Sequence, residues 1–338
     1  MKRWTLVLLA ALFGLAGVGM SLRVNAQAAP AAGAVRTISM ATLAPPGSTW
    51  ARVFDAWNRE VRRRSNKALQ LRFYFGGVQG DEAEVIRKVR AGRLDGGAVT
   101  AVGLSQIHRP ALVFQMPGMF QNYNQLDSAR NALTPELNTA FEGAGFNLMG
   151  WADVGQTRIF SNSAVRTPQE LAATHPYVWR DDLVFPAFYS IIHATPVPLQ
   201  VPEVLSALQT NRINSFITSP AVSVQLQWSS RATHMTDMPV SVLVGATVIS
   251  HQVWASLPAD QQQILTETAQ QFHALARRNL RSDEQVALQT LASHGITTVP
   301  VDAGQRAAWE GIFTQTRTRL TGQIADAAFI QRVQGLAH

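Results

Sequence analysis

The residue types that do chemistry are present in this chain, but not at the spacings chemistry needs. Its eight histidines lie far apart, with no two at the i, i+4 separation that sets a pair on one helix face. A histidine metal site would need assembly by the fold alone, and His175, His193 and His251 are read as surface or internally satisfied side chains. Cysteine is absent, which removes thiol nucleophiles, thiolate ligands and any disulfide framework. The acidic pairs Asp81/Glu82 and Asp181/Asp182 are sequence neighbours at expected helix starts or turns, where carboxylates cap backbone N–H groups. An acid/base dyad would instead need both carboxyls facing one substrate. No GxSxG elbow, HExxH helix, Walker loop or GxGxxG turn occurs. The pattern supports no enzyme, no metal site and no cofactor.

One stretch reads as a holder of something. In "TPQELAATHPYVWRDD", Thr167 to Asp182, a helical turn and a proline are followed by Tyr177, Trp179 and Arg180. If Pro176 to Arg180 is a strand, Tyr177 and Trp179 share one side, while Val178 and Arg180 share the other.

The elements that must present this stretch follow from composition and periodicity. The 338 residues, 46% apolar and 15% charged, suit two α/β lobes. Residues 1–26 place Lys2 and Arg3 before an apolar run that ends in Val24-Asn25-Ala26, the pattern of a secretory signal peptide cut near Ala26. Residues 27–35 form a short linker. A periplasmic protein is the expectation, with no membrane span after cleavage. The precursor charge of +7 falls by the leader's Lys2, Arg3 and Arg23 to 7 − 3 = +4. The one dense basic cluster, Arg59 to Lys67, ends an expected helix and is read as a solvated face, not a nucleic-acid surface.

From Arg36 the pattern alternates. "RTISMATL", "LQLRFYFGG" and "GGAVTAVGL" read as strands. Between them lie a helix capped by Ser48, with Trp50, Val53, Phe54, Trp57 and Val61 inward, and a second with Val85, Ile86 and Val89 inward. This βαβαβ order predicts a parallel sheet with a ligand at the carboxyl ends of its strands. "FNLMGWADVG" reads as a buried strand. "RIFSNSAVRTPQELAA" reads as a turn into a helix capped by Thr167, with "PYVW" a strand, "PEVLSALQTN" a helix and "INSFITSP" a strand and loop. Met238 to Ser250 is long enough to cross from one lobe to the other. Ala259 to His294 holds neither Gly nor Pro, so a helix of about 36 residues and roughly 54 Å could span both lobes, with any break expected in "RRNLRSDEQ". The C-terminal "TQTRTRLTGQIADAAFIQRVQGLAH" is helical and could dock on its own chain or on a second copy.

Five segments in this order resemble the substrate-binding proteins of TRAP (tripartite ATP-independent periplasmic) transporters, the DctP family. They are "KVRAGRLDGGAV", "QMPGMF", "GWADVGQTRIFSNSAVRTPQELAA", "TPVPLQVPEVLSALQTNRINSFITSP" and "ISHQVWASLPADQQQIL". The resemblance implies a two-lobed α/β fold of the periplasmic binding protein type II class, with hinge strands and a long helix spanning both lobes. Residues 36–155 and 241–285 would form lobe I, and 156–240 and 286–338 lobe II. It also implies a cleft that closes on a ligand and delivery to the large and small membrane subunits of a permease.

The resemblance also locates a departure. Where the family carries Lys-Ile-Arg-Val, whose arginine clamps a ligand carboxylate, this chain has His175-Pro176-Tyr177-Val178. A tyrosine cannot neutralise a carboxylate or hold it bidentately. Arg158 matches a secondary family arginine and is the first candidate to supply charge; Arg180 is the weaker one. Asn214 replaces the family's aspartate in "ALQTNRINSFITSP", which argues against a cation-assisted site, and Phe216 and Thr218 fall at pocket positions. Trp151, Trp179 and Trp228 could thicken an apolar wall. Ser48, Thr49, Thr100 and Gln115 are expected contacts from lobe I. The ligand expected is apolar, aromatic or neutral, or an acid held by Arg158 alone, and not a small dicarboxylate. The alternative is a sensing or scaffold subunit uncoupled from a permease.

Overall fold

The computed structural model describes residues 35–337. The leader expected over 1–26 and all but the last residue of the linker expected over 27–35 lie outside the described residues. The strands are β1 (Arg36–Thr42), β2 (Leu69–Tyr74), β3 (Gly96–Thr100), β4 (Phe146–Gln156), β5 (Arg158–Ser161), β6 (Tyr177–Trp179), β7 (Val197–Leu199), β8 (Ser215–Thr218), β9 (His234–Thr236), β10 (Val242–Ser250) and β11 (Thr297–Val299).

β1, β2 and β3 run parallel and continue into β10 and β4 in a five-stranded sheet of order β2-β1-β3-β10-β4. β10 is antiparallel to both neighbours. The first helix, Thr49–Arg64, starts at Ser48, whose hydroxyl accepts from the Ala51 N–H at 3.2 Å. It buries Val53, Phe54, Trp57 and Val61 against the sheet, and Arg62, Arg63 and Arg64 in its last turn complement the helix dipole. The helix Glu82–Arg90 buries Val85, Ile86 and Val89 and is capped by Asp81.

The second sheet has the order β11-β9-β5-β8, and β6 pairs with β7 in a small parallel ribbon. Arg158–Ser161, expected as a turn, is the strand β5. Its four residues are too few to show a period, and it becomes a strand by pairing with β8 and β9. The chain passes between the sheets at Thr157, where β4 gives way to β5, and returns through Ser241 into β10. The two crossings are tied together: Thr157 N–H donates to the Ser241 carbonyl at 2.8 Å, Val240 N–H to the Thr157 carbonyl at 2.9 Å, and the two hydroxyls lie 2.9 Å apart.

The helix Ala259–Ser293 is one element of 35 residues. The break considered at Arg277–Gln285 does not occur, because that polar stretch is anchored from the side. Arg277 donates to the Trp151 carbonyl at 3.0 Å. Arg281 holds Asp153 at 2.7 Å and Asp127 at 2.8 Å, and the buried Asp153 also receives Arg130 at 2.6 Å. Ala276, Leu280 and Ala287 stay buried along the same helix, so its apolar face is continuous.

The C-terminal segment does not keep to one lobe. Trp309 and Phe313 pack with Phe188 and Tyr189 of the second lobe. Leu320, Ile324, Ile330 and Val333 share a core with Leu126 and Leu133 beside the first sheet. Residues expected to belong wholly to lobe II over 286–338 therefore return to lobe I near Leu320, because the helix Ala327–Leu336 buries its apolar side against the chain's own helix Tyr123–Gly143.

Candidate functional site

The carboxyl ends of β1 and β3 face β6, β8 and the turn at Trp228 across a cleft. It encloses about 1130 Å³ of empty space, part of it open solvent. Thr42 and Thr100 enter from the strand ends of the first sheet, with Trp50 and Phe54 from the first helix; Tyr177, Trp179, Tyr189 and Trp228 enter from the other side. Trp228 is aimed by its neighbour Gln227, whose left-handed backbone (φ 60°) reverses the chain just before it. Tyr177 meets Trp228 edge-to-face, ring centroids 5.5 Å apart, an arrangement the ring quadrupoles favour.

Polar groups are few and specific. Glu82, 2% exposed, accepts from Thr100 N–H at 2.8 Å on one carboxyl oxygen. Its other oxygen accepts from the Thr100 hydroxyl at 2.7 Å and Gly103 N–H at 2.9 Å. Burial pushes its carboxyl up to about 8, with nearby Asp81 adding to the rise and the three donors opposing it. Asp182 accepts from Val184 and Phe185 N–H at 2.9 and 3.1 Å, and burial raises its carboxyl too. Tyr177 is buried with its hydroxyl unpartnered, and Gln115 Oε1 likewise has no partner. Desolvation, then the charges of Asp81 and Asp182, hold the Tyr177 phenol well above the usual range. Among the described residues lining the cleft there is no Lys, Arg or His.

Asp81 ties the lobes together. It caps its own helix through Glu82 N–H at 2.7 Å. Across the cleft it accepts from Trp179 Nε1 at 3.1 Å and from Val201 N–H at 2.9 Å.

Residues 40–319 match the DctP family, described as bacterial extracellular solute-binding protein, family 7. The chain belongs to this family. Among curated relatives, a solute-binding protein from Verminephrobacter eiseniae is 22% identical over 280 residues, 82% of each chain. The 2,3-diketo-L-gulonate-binding periplasmic protein YiaO of Escherichia coli is 22% identical over 80% of this chain and 83% of its own. Among solved structures, the sugar acid binding protein DctPAm of Advenella mimigardefordensis, in complex with galactonate, superimposes with a TM-score of 0.85 at 15% identity, covering 90% of this chain and 98% of that one. A TRAP periplasmic solute binding protein from Shewanella oneidensis with bound succinate gives 0.85 at 16%, covering 90% and 100%. The two-lobed fold is thus that of TRAP solute-binding proteins. No helix among the described residues is long and apolar enough to cross a membrane.

Within this DctP-family chain, the residues expected at the site divide. Tyr177, Trp179, Thr218, Thr100 and Gln115 line the cleft. The others do not, each for a local reason. Arg158 pairs with Asp237 at 3.2 Å. Phe216 is fully buried, stacked on Phe160 at 5.1 Å between centroids. Asn214 ties its strand to His175, accepting that N–H at 2.7 Å. Ser48 is spent on its cap, and Thr49 is bonded to Asp283 and, at 2.7 Å, to Arg52. Arg180 is exposed and paired with Glu203 at 2.9 Å. Of the tryptophans, Trp228 lines the cleft, whereas Trp151 packs against Phe114 in the core.

Sequence reasoning passed over Glu82 and Asp182 as cleft residues. Asp81 and Asp182 are caps, as read, but capping and facing the cleft prove compatible. The available signal was position: Glu82 stands one residue inside a helix that starts beside the carboxyl end of β3.

Proposed function

We propose that the chain is the periplasmic solute receptor of a TRAP-type transporter. It takes a largely apolar, aromatic or neutral ligand, rather than a small dicarboxylate, and delivers it to the large and small permease subunits. The reading assigns residues 36–155 and 241–285 to one lobe and 156–240 with 286 to about 320 to the other, and a leader removed near Ala26. Tyr177, Trp179, Thr100, Thr218 and Gln115 are the proposed contacts. One observation carries the ligand class: Tyr177 stands in a cleft walled by aromatics in which no described side chain is basic. A carboxylate there would lose its hydration without gaining a cation. A hinged receptor closes only as far as its ligand touches both lobes, and both contribute aromatics here. The test is native mass spectrometry of protein isolated from the periplasm, followed by solution scattering with whatever compound is released. An apolar or aromatic compound that shrinks the radius of gyration supports the proposal. A small dicarboxylate that does so overturns the ligand class, and a ligand that leaves the radius unchanged overturns the hinged receptor.

A further inference from the structure

The cleft carries acids from both sides and, among its described lining residues, no base. Glu82 enters from the first lobe and Asp182 from the second, at most 4% exposed. Neither is free to swing away: Thr100 and Gly103 hold Glu82, and the Val184 and Phe185 amides hold Asp182. Asp81, latched to Trp179 and Val201, adds a third carboxyl nearby. Burial holds both carboxyls toward the protonated form while the cleft is empty. An entering ammonium therefore draws Glu82 into its ionised form, whereas an anion finds no compensating charge among the described lining residues. The same carboxyls favour a cation.

The apolar lining points the same way. The faces of Trp and Tyr rings attract cations through their quadrupoles, and Trp50, Tyr177, Trp179 and Trp228 all line the cleft. Glu82 Oε1 has a single protein donor, Thr100 N–H, so it retains capacity to accept another hydrogen bond. Gln115 Oε1, an acceptor on the same wall, has none.

We infer that the polar end of the ligand is a protonated amine carried on an apolar body, and that Glu82 is the specificity-determining residue that accepts it. The inference rests on the receptor reading and sharpens its ligand. It sets this cleft apart in ligand from the acid-bound structures that share its fold, because its described lining holds no base to balance a carboxylate and two carboxyls that can balance an ammonium.

The experiment uses matched triads that share one body and differ at one end, for example phenethylamine, phenethyl alcohol and 3-phenylpropionate, with alkyl series of increasing length. Each is titrated against the full mature chain by calorimetry and by the fluorescence of the cleft tryptophans. The amine is expected to bind about tenfold or more tighter than its carboxylate partner, the gap produced by a charge-assisted hydrogen bond to the ionised Glu82 against a carboxylate that meets no cation. Glu82→Gln is expected to narrow that gap by about tenfold. The wild-type comparison decides the matter even where the variant is too unstable to assay. A carboxylate as tight as its amine, an alcohol equal to it, or no amine retained at millimolar concentration overturns the inference. Solution scattering on the same samples separates the two proposals. Compaction by carboxylates alone sinks the amine and keeps the receptor; amine binding without compaction keeps the amine and sinks the receptor.

Discussion

Replacing Asp81 with asparagine should open the cleft while leaving the fold in place. The side chain serves two tasks: it caps the helix Glu82–Arg90 through Glu82 N–H at 2.7 Å, and it accepts from Trp179 Nε1 and Val201 N–H of the opposite lobe at 3.1 and 2.9 Å. Asparagine is as good an N-cap as aspartate, so the first task survives on its carbonyl oxygen. The second is weakened: Trp179 Nε1, 3.1 Å from both oxygens, keeps only a neutral carbonyl acceptor, and Val201 N–H, which bonds Oδ2 alone, faces an amide that is itself a donor. Asp81 is 1% exposed, so solvent screens these bonds little. A hydrogen bond to a charged acceptor is worth about 1.5–3 kcal/mol, and both donors regain water when the lobes part, so the loss falls on closure rather than on unfolding. Closure should weaken by about 2–4 kcal/mol, on the order of 30- to 1000-fold in the open-to-closed ratio. Energy transfer between dyes on the two lobes, with the ligand-free radius of gyration, reads this directly. Trp179→Phe removes one of the donors and should produce about half the shift. If Asp81→Asn folds normally and the closed fraction does not move, the latch is not what holds the lobes together.

Three further perturbations test other links. His273 is buried, with Nδ1 2.7 Å from the Ala269 carbonyl and Nε2 2.9 Å from the Thr247 hydroxyl, and burial of the ring lowers its titration to about 4. The folded state then binds fewer protons between pH 6.5 and about 4, so up to about 3 kcal/mol of stability, present above pH 6.5, is lost as pH falls through that window. Glu82 works oppositely, its contribution present below pH 4.5 and lost as pH rises through about 8. Urea unfolding of wild type minus His273→Gln isolates the histidine, and a difference that does not change with pH would count against it. Gly150→Ala would set a methyl 2.6 Å from His273 Cγ; about 1–3 kcal/mol of destabilisation is expected from such overpacking, and an unchanged denaturant midpoint would show that the histidine yields. Tyr177→Arg places a guanidinium among Asp81, Asp182 and Glu82, whose charges already bear on the Tyr177 phenol. Affinity for succinate should rise about tenfold or more by calorimetry, and no gain would mean that position 177 is not where a clamp would act.

Much of this protein is written locally in its sequence. The helix at Thr49 starts where Ser48 can cap it, and the helix at Pro168 starts with a full capping box of Thr167 and Glu170, because these signals need only neighbours in the chain. The order of β1, β2 and β3 follows from hydrophobic runs of the right period, and the tyrosine where the family resemblance implies an arginine is visible from residue identity alone. Tertiary structure decided what lay beyond such reach. β5 exists because β8 and β9 flank it; the long helix stays whole because Arg277 and Arg281 find partners on β4 and on a separate helix. Arg158 and Phe216 were drawn away from the cleft by Asp237 and Phe160, partners remote in sequence. Glu82 and Asp182 became cleft residues for a like reason: whether a capping carboxylate looks into water or into a pocket depends on what the other lobe sets against it, and periodicity in one segment carries no record of that.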